Sequence, residues 1–177
     1  ISLLIVLREW IKPNLKLELE IKMGNIFNED FRDFIHELNS AEVRYVLVGG
    51  FSVILHGHSR TTGDMDIWVE RTSENYRKLK IAFAKFGMPV FDMNEANFLD
   101  HPSWDVFTYG IPPSAIDIMV NLKGLNFEDC YKEAVDFLED ELRIKTINLQ
   151  HLIKAKEASN RPKDVDDIQN LKGKSPK

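Results

Sequence analysis

The sequence predicts an α+β domain, a mixed β-sheet flanked by helices with a helical element at its C-terminal end. Two observations carry this. Strand-like and helix-like segments alternate irregularly, without the regular βαβ rhythm of a doubly wound parallel sheet. The stretch "WDVFTYG-IPPS-AIDIMV" has the form of an antiparallel pair joined by a tight turn.

The elements follow in order. Residues 1–22 read as an N-terminal extension of unassigned role, either vector-derived or upstream of a natural start at Met23; their "LKLELEIK" alternates as a strand does. Asn28 is an N-cap for a helix to about Asn39, with Phe31, Phe34, Ile35 and Leu38 on one face. "VRYVLVGG" is a buried strand, and "FSVILHG" a short helix ending at Gly57. "DMDIWVE" is the second strand. "SENYRKLKIAFAKFG" is an amphipathic helix capped by Ser73 and stopped by Gly87 and Pro89. "EANFLD" makes a helical turn or two, "WDVFTYG" and "AIDIMV" are strands, and "FEDCYKEAVDFLE" is a helix. "LRIKTI" is a short strand, Asn148 caps "LQHLIKAKEAS", and Pro162 opens a last helix, "PKDVDDIQNL". The domain organisation expected is an extension (1–22), a core (23–147), a C-terminal helical element (148–171) and a tail (172–177).

Composition bounds the function. At 177 residues, 44% hydrophobic and 29% charged, the chain can bury a real core. A net charge of -5 disfavours general nucleic-acid binding, which needs many cations. The bias is uneven: residues 127–144 hold seven acids and two bases, and residues 145–177 hold eight bases and four acids. A basic patch or a solvated helix face accounts for it. No stretch approaches the ~20 apolar residues of a membrane helix, so no membrane role is expected. The one cysteine, Cys130, excludes an internal disulfide, reads as a buried thiol on a helix, and suits a reducing, cytoplasmic setting.

The segment "VLVGGFSVILHGHSRTTGDMDIWV" carries the chemistry. On a strand Asp64 and Asp66 project from one side, ~7 Å apart, while Met65 and Ile67 enter the core. Two carboxylates on one face repel and are costly to bury unless a cation sits between them. Hard oxygen donors at this spacing suit Mg²⁺; a solvent-facing edge strand is the other reading. Gly49 and Gly50 stand between a strand and a short helix, where bare backbone can approach a phosphate. A third acid, Asp117, interrupts the apolar run "AIDIMV". Neither GxGxxG nor GK[ST] is present.

This pattern of an apolar run, Gly-Gly, a spacer, Asp-apolar-Asp and a later Asp on its own strand resembles the nucleotidyltransferase superfamily of DNA polymerase β. Residues 26–171 are similar to its small bacterial and archaeal members, including toxins of the abortive-infection type. The resemblance implies the nucleotidyltransferase fold. It implies that Asp64, Asp66 and Asp117 converge on two Mg²⁺ ions, with Mn²⁺ as substitute. It implies transfer of a nucleoside monophosphate from an NTP such as ATP to an acceptor hydroxyl. Gly49 and Gly50 would lie against the triphosphate. The family often has Ser where this chain has Gly50, and Ser52 is the substitute expected. Arg60 would face the phosphates, and Lys156, Arg161 and Lys163 would close over the nucleotide. The acceptor is left open among tRNA, protein and small molecule. A toxin or phage-defence role would bring a cognate antitoxin as partner. A non-catalytic nucleotide- or partner-binding module on the same fold is the alternative.

Other signals weigh less. His56 and His58 form HxH, but nothing local supplies further zinc ligands. Trp104, Phe107 and Tyr109 read as core packing before base stacking. "DVDD" at 164–167 reads as a capping and solvated acid cluster, with Asp164 able to pair with Lys156 or Arg161.

Overall fold

The computed structural model of the chain describes residues 26–111 and 114–173. The expected strand within residues 1–22 and the end of the tail lie outside them. One six-stranded mixed sheet organises the described residues, in the order β3-β4-β2-β1-β6-β5. Its strands are β1 (Tyr45–Leu47), β2 (Met65–Val69), β3 (Val106–Ile111), β4 (Ser114–Met119), β5 (Val135–Glu139) and β6 (Leu142–Thr146). β1 is antiparallel to β2 and parallel to β6, β2 is parallel to β4, and β3–β4 and β5–β6 are antiparallel pairs.

Helices cover both faces. On one lie α1 (Glu29–Ser40) and α3 (Ser73–Phe86), with the short α4 (Glu95–Asp100) beside α3. Asn28 caps α1 by accepting from the Phe31 amide at 2.8 Å, satisfying one of the helix's open donors. Phe34 of α1 meets the rings of Phe83 and Phe86 of α3, with centroids 5.3 and 5.2 Å apart. Below them Leu47, Met65, Ile67, Ile116, Ile118 and Ile144 point up from the strands. Thr72, rather than Ser73, caps α3, and Gly87 ends it in the left-handed region.

The other face carries α5 (Phe127–Lys132), α6 (Leu149–Ser159) and α7 (Pro162–Lys172). Val46, Trp68, Cys130, Ile147, Leu152 and Leu171 form the core there. The short helix α2 (Gly49–Leu55) leaves β1 and feeds both cores, Phe51 to the first and Val53 to the second. Burial, helped by Asp129 and Glu133 nearby, raises the Cys130 thiol to about 11, so it stays protonated and inert at neutral pH.

One element differs from the sequence expectation. The helix expected over 127–139 stops at Lys132, and residues 135–139 form β5. The pattern of Phe127, Cys130 and Tyr131 is helical, but from Val135 onward tertiary pairing wins. Phe137 faces Ile144, Asp136 meets Lys145 at 3.3 Å, and Asp140 at φ +54° closes a two-residue turn. Asn148 and Pro162 start the last two helices as expected, and α7 runs to Lys172. No described helix is long and apolar enough to cross a membrane.

Candidate active site

The strand pleat sorts the acids from the core. Met65, Ile67 and Val69 of β2 enter the core under α1 and α3, so Asp66 is left on the opposite face. Asp64 is the residue just ahead of β2, two positions from Asp66. β4 repeats the arrangement: Ile116 and Ile118 enter that core and Asp117 does not. The parallel register sets Asp66 directly beside Asp117. Chain direction thus places acids far apart in sequence on one patch of sheet.

Each carboxylate has a distinct environment. Burial raises Asp66 to about 6, and the neighbouring Asp117 charge adds to this. The Gly50 amide donates to Asp66, and Arg161 and Lys163 act on it from α7 and its start, all three in the lowering direction. Asp117 accepts from the Thr108 hydroxyl of β3 at 2.6 Å, which fixes Oδ1. Asp64 Oδ1 is buried and accepts no hydrogen bond among the described residues.

The glycines explain themselves here. Gly49 sits at φ +65°, and a Cβ on it would lie 1.8 Å from Asp66 Oδ2. A Cβ on Gly50 would lie 2.4 Å from the Thr62 hydroxyl. The backbone therefore lies against the acid patch in a way that only glycine permits at position 49. A cleft of about 390 Å³ opens beside Asp66, with Gly49, Asp105, Leu152, Lys156 and Arg161 also in its walls; Asp64 and Asp117 are not among its lining residues. That is within the size range of small-molecule sites.

The remaining expected residues fall in different places. Ser52 is fully buried, and its hydroxyl donates to the Gly49 carbonyl at 2.7 Å, fastening the first turn of α2. Arg60 pairs with Asp167 Oδ2 of α7. Lys156 lines the cleft but is only 4% exposed, with its ammonium 3.1 Å from Asp164 Oδ1 and 2.7 Å from Asp167 Oδ2. Arg161 stays partly exposed at the cleft wall and also pairs with Asp164 at 2.8 Å. The acids at 164 and 167 are thus buried rather than solvated, and only Asp166 of the cluster faces water. Burial pushes Asp164 up, but hydrogen bonds from Arg161 and Lys156 outweigh it and hold the carboxyl well below the usual range.

Asp66 and Asp117 are register partners on neighbouring strands, whereas Asp64 lies outside β2. Among the described residues, one group of three His, Cys, Asp or Glu brings its ligand atoms within 4.8 Å of one another. It is His58, Asp166 and Asp167, not the three aspartates of the patch. The fold thus supplies His58 with acidic neighbours that no local spacing could reveal. His56 instead sits at the C-cap of α2, its Nε2 2.7 Å from the Ile147 carbonyl. Phe107 and Tyr109 are core residues, and Trp104 packs on the core edge. Thr62 and Thr108 escaped the sequence reading, and Asp167 was read only as part of a solvated acid cluster. Thr108 had a signal, since its alternation with Phe107 and Tyr109 puts it on the acid side of the sheet; Thr62 had none.

Residues 28–172 match a family model described as nucleotidyltransferase of unknown function (DUF6036). The chain belongs to this family. The fold of this DUF6036 nucleotidyltransferase is also found in solved structures. One is TM1012 of Thermotoga maritima, provisionally named a nucleotidyltransferase. It is 16% identical, with 81% of this chain and 90% of that chain covered and a TM-score of 0.51. Another is the lincosamide antibiotic adenylyltransferase LnuA, solved with lincomycin bound. It is 16% identical, with 84% and 98% covered and a TM-score of 0.50. At this identity the likeness is one of fold. No curated protein matches the sequence.

Proposed function

We propose that this protein moves a nucleoside monophosphate from an NTP to an acceptor hydroxyl, with Mg²⁺ held by Asp64, Asp66 and Asp117. The observation that carries the reading is the register of Asp66 beside Asp117, with Asp64 two residues ahead on the same chain. A pair of acids side by side on a half-buried sheet face is costly unless a cation shares them. The donor set fits such an ion: it is all carboxylate oxygen, and Asp64 Oδ1 is buried with no donor among the described residues. When bound, divalent ions of this kind lower the pKa of the acceptor hydroxyl and steady the leaving pyrophosphate.

The chain's own residues do the rest by position. Gly49 and Gly50 keep the backbone close to the acids. Arg161 and Lys163 bring positive charge to Asp66 and are the cations best placed for an incoming triphosphate. Thr108 fixes one oxygen of Asp117. Little covalent chemistry is asked of the protein in such a transfer, so positioning and charge suffice. Mn²⁺ would substitute for Mg²⁺, and two ions are the expected stoichiometry. Lys156, already committed to two aspartates, is not the phosphate clamp in this reading. The acceptor remains a choice among RNA, protein and small molecule. LnuA, which takes an antibiotic on the same fold, adds weight to a small molecule; the toxin role with its antitoxin has no comparable support.

The test is incubation of the purified protein with each α-labelled NTP, Mg²⁺ and a cell extract. Label should move to one acceptor class in the parent and not in Asp66→Asn. Absence of transfer from all four NTPs, with Mg²⁺ or Mn²⁺, to any fraction would overturn the reading.

A further inference from the structure

The loop between α2 and β2 delivers Asp64 to the acid patch. Residues 58–64 have no regular secondary structure, and Asp64 Oδ1 has no hydrogen-bond partner among the described residues. Its position is therefore set by β2, which begins at Met65, on one side and by whatever holds the loop on the other. The holds are visible. Arg60, four residues before Asp64, pairs with Asp167 Oδ2. His58 Nε2 stands 4.0 Å from Asp167 Oδ1. Thr62 packs against Gly50, where no side chain intervenes.

Asp167 is itself held. Lys156 of α6 reaches it at 2.7 Å and reaches Asp164 at 3.1 Å, and these three side chains are almost wholly buried. Arg161 completes the cluster on Asp164. An ion cluster of this kind is a poor source of net stability, because desolvation cancels much of the attraction. It is a good source of fixed geometry, because a planar guanidinium and a buried carboxylate have few ways to meet.

We infer that Arg60 and Asp167 are positioning residues for Asp64: the C-terminal helices clasp the loop that carries the first acid of the metal site. This rests on the proposed function. Neither residue touches the reacting atoms. Lys156 serves as the fixed post on which Asp167 is mounted, which gives a buried lysine beside the cleft a purpose other than gripping phosphate.

The experiment is a Mn²⁺ titration of the full chain followed by electron paramagnetic resonance, with and without ATP. Circular dichroism confirms a folded state for each variant. Arg60→Gln removes the clasp while leaving the buried Lys156–Asp164–Asp167 cluster intact, so it should fold. It should weaken Mn²⁺ binding at least tenfold, close to the loss in Asp64→Asn. Arg60→Lys, which keeps the charge, should recover part of it. Lys172→Ala breaks an exposed link from α7 to Glu157 of α6 at 2.8 Å and should change Mn²⁺ affinity by less than twofold. Should Arg60→Gln bind Mn²⁺ like the parent while Asp64→Asn does not, the clasp is wrong and the metal site stands. If the parent itself binds neither Mn²⁺ nor ATP, both the clasp and the nucleotidyltransferase reading fall. An equal loss in Lys172→Ala would show general loosening of the C-terminal helices and also overturn the clasp.

Discussion

Gly49 is held at φ +65° with Asp66 Oδ2 where its side chain would begin. Replacing it by Ala asks a Cβ to occupy a left-handed backbone and to push a carboxylate aside. The backbone part alone costs about 1–2 kcal/mol. Gly49→Ala should therefore lower the unfolding free energy from a urea titration by at least that much and also abolish any Mg²⁺-dependent gain in stability, read in the same titration with and without the ion. Asp66 gives a pH test. Burial, with Asp117 beside it, raises the folded carboxyl to about 6 against 3.8 for a free one. The folded state then keeps a proton that the unfolded chain has already released between these values. Stability from this group is present below about 4 and lost as pH rises through about 6. Without metal, Asp66→Asn should be more stable than the parent at pH 8, by up to about 3 kcal/mol, and should match it near pH 4. Mg²⁺ affinity should run the other way, rising with pH to about 6 and then levelling. Both acids were legible in the sequence, because strand alternation alone puts Asp64 and Asp66 on the side opposite Met65 and Ile67. Thr62 was not, because its meeting with Gly50 depends on how a loop folds back over a helix start.

The C-terminal helices carry the clearest revision among the elements. Their starts at Asn148 and Pro162 were legible, as was a pairing of Asp164 with Lys156 or Arg161. The burial of Lys156 was not, because no periodicity shows that α7 would turn two aspartates inward onto it. The consequence is measurable. A solvent-exposed lysine changed to Ala alters stability by less than ~0.5 kcal/mol. Lys156→Ala should instead cost about 3 kcal/mol, the low end for breaking a buried ion pair, since Arg60 and Arg161 still face the aspartates. Chemical denaturation of the variant checks this, and a loss below 1 kcal/mol would contradict the buried cluster. β5 teaches the same lesson in the other direction. Residues 135–139 lost their helical reading to a partner, β6, that only the tertiary fold supplies.

At the scale of the whole molecule, the mixed sheet makes the site. An antiparallel step from β1 to β2 and a parallel step from β2 to β4 bring Gly49, Asp66 and Asp117 to one end of one face. Helices α1 and α3 bury the opposite face and leave this one to α6, which walls the cleft together with Arg161 at the start of α7. The irregular order of strands and helices predicted that kind of sheet, while the strand order itself needed the structure. The proposed activity requires a single site that holds both metal and nucleotide. Thermal unfolding of the parent with millimolar ATP or another NTP, with and without Mg²⁺, tests this directly, since a ligand bound only to the folded state raises the melting temperature. A clear rise is expected with at least one NTP only when Mg²⁺ is present, lost in Asp64→Asn, Asp66→Asn and Asp117→Asn alike. An unchanged melting curve with every NTP and metal, or a rise that survives all three substitutions, would contradict it.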